Sequence, residues 1–506
     1  MNDAGQALPP LGGAALALVA LAVTLATFME VLDTTIVNAA IPAVAGGLGV
    51  SPTEGTWTIS AYALAAAVVQ PLTGWLALRF GEVRTFQASI ALFTLTSVLC
   101  GLASSIDSLV LFRLLQGATS GPLLPLSQTL MMACFPPHRK GVAIALWSVT
   151  ALTAPVMGPI IGGWLSDEYS WRWMFFINVP VGMFSLAVTR ILLRGRETPT
   201  QRLPVDYSGA LLLIIGVGSL QFVLDNGHTR DWLESDLIVW LLIASAVALG
   251  LFLIWERDEQ HPVVELSLFA NRNFTIAAVV MAVGTSANFG TMVIFSLWMQ
   301  GVLGYTATRA GLSAAAFGVA TVVAAMAIGP FLGRLPLRTV VTGALLLSAV
   351  GALWPALLPP DATFLQLSAP RLVQGTAVSL CFIPLFQMLV SQVPARRLAC
   401  ANGVASFLRV MGISAGTALA VTTWDQRSDT RHALLAAATD PARAAVTDVA
   451  AALPVPALDA IAWAQARTDA LYDLYWMSIL VYLALIPLVW LARPHEGGEP
   501  IVALPH

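Results

Sequence analysis

The sequence predicts an all-α integral membrane protein with fourteen transmembrane helices. Three observations support this fold class. First, 57% of the 506 residues are hydrophobic and only 10% are charged, so the chain cannot cover itself with polar surface. Second, apolar stretches of the roughly 20 residues that cross about 30 Å of hydrocarbon recur along almost the whole sequence. Third, cationic residues are concentrated in every second connection between these stretches.

Each predicted crossing is bounded by proline, glycine or charged residues, which end apolar helices. The crossings are expected at about 14–40, 57–78, 85–104, 108–134, 141–165, 172–193, 207–225, 236–255, 275–301, 309–333, 339–358, 364–391, 400–423 and 472–492. Because their number is even, both ends of the chain are expected on the same side of the membrane.

The connections differ in their content of cations, and this difference predicts the orientation. Alternate connections hold 15 arginine and lysine residues, whereas the intervening short connections hold only Arg172, Arg230 and Arg309. Positively charged loops are retained on the cytoplasmic side, so both termini are expected in the cytoplasm. The long connection at about 424–471 then faces outward.

An internal duplication is visible along part of the chain. The sequence Arg-Leu-Leu-Gln-Gly at 113–117 recurs as Arg-Leu-Val-Gln-Gly at 371–375, an offset of 258 residues. The same offset continues without gaps to the pair Gly158 and Gly416. A match of this length is not expected by chance, and transporters are often built from duplicated halves.

The duplication predicts how the crossings are grouped. Both copies contain a fourth helix, a basic turn and a fifth helix, which indicates two six-helix bundles related as parallel repeats. They are expected at 14–193 and 275–492, the second including the outward connection. The two remaining crossings, at 207–255, are interpreted as a two-helix transmembrane insert.

Several classes of function find no support in the sequence. The formal net charge of −3 and the absence of basic runs argue against a nucleic-acid partner. The four cysteines have no C-x-x-C spacing, so neither a zinc site nor a disulfide framework is expected. A G-x-S-x-G sequence at 412–416 lies inside a predicted crossing, and no histidine falls in a membrane segment, which argues against a serine hydrolase. No phosphate-binding loop is present, so ATP bound to this chain is not the expected energy source. No catalytic constellation is found either, so the chain is expected to be no enzyme and to use no cofactor.

Few ionisable residues lie within the predicted crossings, where each costs roughly 2.5–3.5 kcal/mol, so those present are candidates for function. The carboxylates are Glu30 and Asp33, whose spacing of three residues sets them on one helix face. The corresponding cations are Arg113, Arg371 and Arg409.

A carboxylate beside a water-filled cavity can take up a proton on one side of a membrane and release it on the other. Moving one proton through 100 mV supplies about 2.3 kcal/mol, which can drive uphill export if proton and substrate compete. Asp33 is therefore the expected proton site, with Glu30 as a second candidate and Arg113 tuning the first. The alternative is that Asp33 caps or pairs locally and that Glu30 lies near the membrane interface.

The predicted fifth crossing contains an unusual series of helix-breaking residues between 154 and 163. They are Pro155, Gly158, Pro159, Gly162 and Gly163. Proline removes an intrahelical hydrogen bond and glycine permits close helix contact, so this segment is expected to bend and to form a rocking surface between the bundles. Simple packing of small residues is the alternative interpretation.

Together these segments resemble the major facilitator superfamily, and within it the 14-helix EmrB/QacA drug:proton antiporters. Residues 32–42, Leu-Asp-Thr-Thr-Ile-Val-Asn-Ala-Ala-Ile-Pro, are similar to the first-helix signature, which carries the membrane aspartate implicated in proton coupling. Residues 113–117 resemble the fourth-helix motif, whose arginine is thought to assist proton transfer, and 154–163 resemble the antiporter motif. The segments at 171–180 and 268–275 look closest to the EmrB branch.

One motif departs from the superfamily pattern, in the loop between the second and third helices. The family usually has an aspartate where this chain has Leu78, which puts a charge latch built on that acid in doubt. Glu82 is a candidate to pair with Arg79 or Arg139 instead. The resemblance implies a cytoplasmic gate formed by Gly74, Arg79, Gly81, Glu82, Arg84 and Arg139.

The leading hypothesis is proton-coupled export of amphipathic, aromatic or cationic small molecules across the inner membrane. The substrate pocket is expected at the midplane, lined by Phe28, Gln128, Asn288, Trp298 and Gln387. The resemblance also implies a periplasmic adaptor like EmrA and an outer-membrane channel, with the connection at 424–471 as an adaptor contact or simply a solvated helical segment. Alternatives are export of an endogenous metabolite, peptide or fatty acid, and a membrane enzyme or receptor.

Overall fold

The computed structural model describes residues 11–136, 139–201, 203–204, 206–328, 336–358, 362–445 and 455–493. Within these ranges thirteen helices are long and apolar enough to cross a membrane, and a bent helix makes a fourteenth. They are α1 (Gly13–Ile36), α2 (Glu54–Phe80), α3 (Glu82–Gly101), α4 (Ile106–Cys134), α5 (Lys140–Glu168), α6 (Trp173–Leu192), α7 (Tyr207–Asn226), α8 (Asp236–Asp258), α9 (Arg272–Gly301), α10 (Ala307–Ile328), α11 (Leu337–Ala356), α12 (Phe364–Val390), α13 (Leu398–Ala445) and α14 (Val455–Trp490). Each coincides with a predicted crossing, which confirms the multi-pass all-α fold.

The outer surface of the helices is apolar, as a lipid-facing surface must be. Trp240, Ile254 and Leu480 are each about two-thirds exposed, at 68%, 67% and 66%. Continuous apolar exposure on this scale is not found on soluble monomers. The most apolar window of α8 is only 22% buried, against 72% for α12, so the insert lies at the periphery and α12 lies in the interior.

Helix pairing follows the same pattern in the first six and the last six helices. In the first set α1 packs against α5 and α6, α2 against α4, and α3 against α6. In the second set α9 packs against α13 and α14, α10 against α12, and α11 against α14. The repeated pairing is the arrangement that parallel repeats produce.

The two-helix insert covers the groove between the two sets of helices. α7 packs against α8 and also contacts α2 and α13. Its Gln221 donates a hydrogen bond to Ser414 Oγ on α13 at 3.0 Å, and Trp232, which follows α7, donates to Thr422 Oγ1 at 2.9 Å. The insert is therefore held to both halves of the molecule.

The two halves meet closely at the end that carries the basic loops, here called the basic end. A Cβ atom added to Gly74 on α2 would lie 2.5 Å from Cys400 Sγ on α13, so only glycine permits this approach. Nearby, Asn402 donates a hydrogen bond to Thr129 Oγ1 on α4 at 2.9 Å. Deeper in the interface, the Trp147 ring on α5 stacks on Phe382 of α12 with centroids 6.0 Å apart.

The connection predicted at about 424–471 is helical over its described residues, because α13 continues to Ala445 and α14 begins at Val455. Oppositely charged side chains hold the two extensions together, including Arg431 and Asp469 at 3.3 Å. An alanine-rich sequence favours helix, and these ion pairs align the two helices. The extensions form a helical hairpin, defined here as residues 424–445 and 455–471.

Candidate functional site

A buried ion pair joins the first and fourth helices. Asp33 of α1 and Arg113 of α4 are both fully buried, and Arg113 Nη1 donates a hydrogen bond to Asp33 Oδ2. A pair sequestered in this way must satisfy its remaining polar atoms internally, because neither water nor lipid can do so.

The other oxygen of Asp33 is held by two amide side chains. Gln116 Nε2 and Asn178 Nδ2 donate to Asp33 Oδ1 at 3.2 Å and 2.8 Å. The same two amides donate to Ser97 Oγ at 2.7 Å and 3.3 Å. One carboxylate is therefore connected to side chains from α3, α4 and α6, so its charge affects the contacts of four helices in the first bundle.

Arg113 is fixed on its other side by backbone and ring contacts. Its Nε donates to the Thr58 carbonyl at 3.2 Å, its Nη1 donates to Gln116 Oε1 at 2.8 Å, and its guanidinium carbon lies 4.2 Å from the centre of the Tyr62 ring. Arg113 Nη2 is buried and has no hydrogen-bond partner among the described residues. One donor thus remains available when the pair is rearranged.

Glu30 lies one turn before Asp33 and is only 5% exposed. Its Oε2 atom is buried without a hydrogen-bond partner in the described part of the chain. The two predicted carboxylates therefore differ in their surroundings, because Asp33 is ion-paired and hydrogen-bonded whereas one oxygen of Glu30 has no hydrogen-bond partner among the described residues.

The fifth helix is bent by 47° between its segments Lys140–Pro155 and Ile160–Ser166. Gly158 lies directly against Thr35 of α1, and Gly162 lies against the Ile36 carbonyl, so neither position has room for a side chain. Gly163, by contrast, has no neighbouring atom within 4 Å of the position of an added Cβ. Pro155 is half-buried, and the side chain of Pro159 lies outside the described residues.

The gate loop between α2 and α3 is held by a segment that follows α6. Gly81 has φ of +96°, a conformation that favours glycine. Glu197 then caps the start of α3, accepting hydrogen bonds from the backbone N–H groups of Val83 and Arg84 at 2.9 Å each. Arg84 Nε also lies 3.9 Å from Glu197 Oε2.

The predicted pairing of Glu82 with Arg79 or Arg139 is wrong for the described residues. Arg79 Nη1 instead donates to the Leu203 carbonyl, and the Glu82 side chain has no ion pair within the part of the chain that is described. The reason is that the segment after α6 lies across the loop. Its Glu197 accepts from the backbone of α3, and its Leu203 carbonyl accepts from Arg79.

The predicted pocket residues have different surroundings. Asn288 lines a narrow, mostly apolar cavity within the second bundle, together with Phe382 and Tyr482. Trp298 instead donates a hydrogen bond to Thr468 on α14 at 2.9 Å. Gln128 and Gln387 are buried on α4 and α12, and Phe28 packs against a cluster of buried apolar residues that includes Leu32 and Ile36 of α1.

The cavity at Asn288 is small. Its interior has room for about 30 Å³, enough for about two water molecules and far below the roughly 300 Å³ of a drug-sized site. A molecule of that size does not fit this cavity. Among the described residues, no group of three or more His, Cys, Asp or Glu side chains could hold a metal ion.

Sequence reasoning missed several residues of the site. Gln116 was visible as part of the repeated Arg-x-x-Gln pattern, because residues three apart share a helix face. Asn178 lies in the segment 171–180, which drew attention only through its resemblance. Ser97 and Glu197 carry no local signal, since each contacts its partner over long sequence separations.

Comparisons with known proteins agree with this architecture. A family model described as Major Facilitator Superfamily matches residues 23–417. The chain is 41% identical to the multidrug export protein EmrB of Escherichia coli strain K12 over 504 residues, covering 97% of this chain and 98% of that protein. It is also 41% identical to the fatty acid resistance protein FarB of Neisseria gonorrhoeae over 501 residues, covering 97% and 99%.

Solved structures show the same fold at low sequence identity. The human organic anion transporter MFSD10 is 14% identical with a TM-score of 0.58, covering 94% of this chain and 100% of that one. The proton:xylose symporter XylE is 13% identical with a TM-score of 0.60, covering 96% and 98%.

Proposed function

This chain belongs to the major facilitator superfamily and to its EmrB-type group, and on that premise we propose that it is a proton-coupled multidrug antiporter. It exports amphipathic or aromatic small molecules across the inner membrane by alternating access, with both termini and the basic end in the cytoplasm. The observation that carries the proposal is the buried pair of Asp33 and Arg113, the one intramembrane carboxylate–arginine ion pair within 4.0 Å among the described residues.

Protonation of Asp33 changes the contacts of the whole first bundle. A proton on the carboxylate removes the charge that holds Arg113, and Arg113 Nη2 is already unpartnered and can take a new acceptor. The side-chain amides of Gln116 and Asn178 then no longer donate to a charged acceptor. A single proton therefore loosens the attachments of α1 to α4 and α6.

The bent fifth helix provides a route from this site to the second bundle. α1 touches α5 at Gly158 and Gly162, immediately after Asp33 along the chain. α5 in turn packs against α10 and α12 of the other half. A shift of α1 is thus transmitted to the surface on which the two bundles rock.

Coupling then follows from competition between proton and substrate. If substrate is released outward while Asp33 takes up a proton, and the proton leaves inward before substrate binds again, inward proton flow drives export. One proton crossing 100 mV supplies about 2.3 kcal/mol, equivalent to roughly a fortyfold concentration ratio.

The test is transport by the Asp33→Asn variant in reconstituted vesicles with an imposed pH gradient, following ethidium efflux and proton flux together. We expect both fluxes to fall to background while the variant still inserts, because asparagine keeps the hydrogen-bonding shape but takes up no proton. Asp258→Asn, at an exposed end of α8, is the matched control. Undiminished proton-driven efflux by Asp33→Asn would refute the proposal.

The name of the relative FarB favours a second candidate, export of a fatty acid or another endogenous molecule by the same mechanism. Growth defects or accumulation of a metabolite in a strain lacking this protein would favour this candidate. Normal growth and metabolite levels, with sensitivity only to added compounds, would favour drug export.

The helical hairpin is the proposed contact for a periplasmic adaptor that continues to an outer-membrane channel. α13 has 48 residues and α14 has 36, or roughly 72 Å and 54 Å of helix, well beyond the approximately 30 Å of a hydrocarbon core. Both helices therefore project beyond the membrane. Deletion of the projecting part should abolish co-purification of an adaptor while leaving insertion intact.

A further inference from the structure

The first helix of the insert, α7, is attached to different bundles at its two ends. At the basic end, the segment that precedes α7 is bonded to the last turn of α2. The Gln201 backbone N–H donates to the Leu78 carbonyl at 2.8 Å, and Trp75 Nε1 donates to the Pro204 carbonyl at 3.3 Å. The start of α7 is therefore fixed to the first bundle.

The other end of α7, called the far end here, is attached to α13 of the second bundle. Three side-chain contacts join the two helices there. They are Gln221 Nε2 to Ser414 Oγ at 3.0 Å, Trp232 Nε1 to Thr422 Oγ1 at 2.9 Å and His228 Nε2 to Asp425 Oδ2 at 2.9 Å. α7 thus runs from one bundle to the other along the groove that the insert covers.

The turn that carries Trp232 has an unfavourable backbone conformation. Asp231 and Trp232 have φ of +56° and +48°, and no other non-glycine residue in the described part of the chain has a positive φ. Such residues persist only where the surrounding contacts hold them, and they are common in parts that move. Here the contacts are the bond to Thr422 and the packing of the indole ring on Gly227, where an added Cβ would lie 2.6 Å from the ring. Breaking the bond to α13 would allow this strain to relax.

Movement between the bundles acts on this attachment. In the structure the basic end is closed, because α2 and α13 meet there at Gly74 and Cys400. Alternating access requires the two helices to separate at this point. The start of α7 then moves with α2, whereas its far end is held by α13. A continuous helix of 20 residues cannot follow both bundles unless it tilts or one contact is released.

We propose that α7 is a tether that favours the state closed at the basic end, and that the bonds of Gln221 and Trp232 to α13 are released when that end opens. The strained turn at 231–232 lowers the cost of this release, so the contact favours one state and still breaks in each transport cycle. Gln221 and Trp232 are therefore positioning residues that set the balance between two states. The inference rests on the proposed function, because alternating access supplies the movement that the tether restrains.

The test uses Cys400 as a reporter of opening, since it is 6% exposed and lies where the two halves meet. The full-length protein in lipid nanodiscs is treated with a water-soluble maleimide, and labelling of each cysteine is followed by mass spectrometry. Trp232→Phe and Thr422→Val each remove one hydrogen bond. In both variants we expect Cys400 to be labelled about three to ten times faster than in the wild type.

The matched control is Trp255→Phe. The indole of Trp255 donates to the Asp206 carboxylate at 3.1 Å, and both residues belong to the insert or its first turn. This variant removes the same kind of bond without detaching α7 from either bundle. Labelling of Cys400 should stay within about twofold of the wild type, as for a change that leaves the equilibrium between the states unaltered.

Two further measurements separate the tether from a general loss of folding. Cys100, which is fully buried inside the first bundle, should stay unlabelled in every variant. The double variant of Trp232→Phe with Thr422→Val should be labelled no faster than either single variant, because both changes remove the same bond.

The outcomes that would overturn the inference are distinct. They are unchanged labelling of Cys400 in the two single variants, additive effects in the double variant, or labelling of Cys100 that rises together with that of Cys400. The proposed function fails separately, if the wild-type protein in vesicles shows no proton-driven efflux of ethidium, whatever the labelling of Cys400.

Discussion

The two duplicated fourth helices present the same arginine and glutamine to different partners. In the first bundle Arg113 meets the Asp33 carboxylate. In the second bundle Arg371 meets Gln374, the Tyr475 hydroxyl at 3.4 Å and the face of Phe295. α9, which occupies the place of α1 in the second bundle, contains no Asp or Glu at all.

This difference separates the residues that both bundles share from the acid that only the first bundle contains. The Arg-x-x-Gln pair organises the centre of both bundles, since in each the glutamine oxygen accepts from the arginine. Only the first bundle adds an acid to this pair. A neutral ring and hydroxyl can hold a guanidinium in place but cannot exchange a proton near neutral pH, so proton coupling is expected from one bundle alone.

The strongest way to break this comparison is to neutralise each arginine in turn. Arg113→Gln leaves Asp33 buried without its cation, and we expect proton-driven efflux to fall at least about a hundredfold. Arg371→Gln should keep coupled efflux at a reduced level. Both rates are measured in vesicles at equal amounts of inserted protein, and equal loss of coupling in the two variants would contradict the comparison.

Loss of folding is separated from loss of coupling by a double variant. Removing one partner of a buried ion pair destabilises by about 3–5 kcal/mol, whereas removing both leaves no uncompensated charge. Asp33→Asn combined with Arg113→Gln should therefore regain much of the thermal stability in detergent. Its efflux should stay at background, because no titratable group has been restored.

Close helix contacts at glycine occur in both bundles, so they allow a further comparison of the two. Gly162 approaches the Ile36 carbonyl and Gly416 approaches the Ser286 carbonyl, so a Cβ atom forces the helices apart in either bundle. Gly162→Ala and Gly416→Ala should each destabilise by about 1–3 kcal/mol, read as a lower melting temperature. Gly163→Ala, where nothing lies within 4 Å, is the control. Only Gly162→Ala should also reduce the proton flux, since its helix contacts α1 beside Asp33.

A smaller effect is expected from the two linkers that join the insert to the bundles. Glu197 caps α3 through two backbone hydrogen bonds, whereas Glu265 pairs with Arg397 at 2.8 Å near the surface. Glu197→Gln should cost about 1–2 kcal/mol and Glu265→Gln less than about 1 kcal/mol, because exposed ion pairs contribute little. Melting temperatures of the two variants test this order, and a larger effect at Glu265 would contradict it.

The sequence was most informative where the membrane leaves few alternatives. A run of about 20 apolar residues has essentially one stable conformation in lipid, so the number and order of crossings could be predicted. The cost of a charge in the membrane also singled out Asp33 and Arg113, since few charged residues lie within the predicted crossings. Both arguments depend on local composition alone.

Prediction from sequence failed where a contact joins distant segments of the chain, and where a loop and a helix outside the membrane have similar hydropathy. Glu197 accepts a hydrogen bond from the backbone N–H of Val83, which lies 114 residues earlier in the chain, and no local sequence pattern predicts this contact. Hydropathy also ends at the membrane surface, so it could not distinguish a loop from the helical continuation of α13. Trp298 was assigned to a pocket by residue type, but its ring nitrogen is used by Thr468.

The smallest effect is expected from Leu78→Asp, which restores the acid that the family usually has at the gate. This variant tests whether the first bundle needs a carboxylate at its basic end in addition to Asp33. Leu78 lines a polar cleft there together with Arg396 and Arg397 of the second half, while its carbonyl accepts from the Gln201 backbone N–H at 2.8 Å. In Leu78→Asp the new carboxylate would face these two arginines, at a site open to water where screening limits the attraction to about 0–1 kcal/mol. We therefore expect a slightly higher melting temperature at low salt, no change at high salt, and efflux within about twofold of wild type. A large fall in efflux would show instead that the bundles must separate at this cleft and that Leu78 keeps it from closing too tightly.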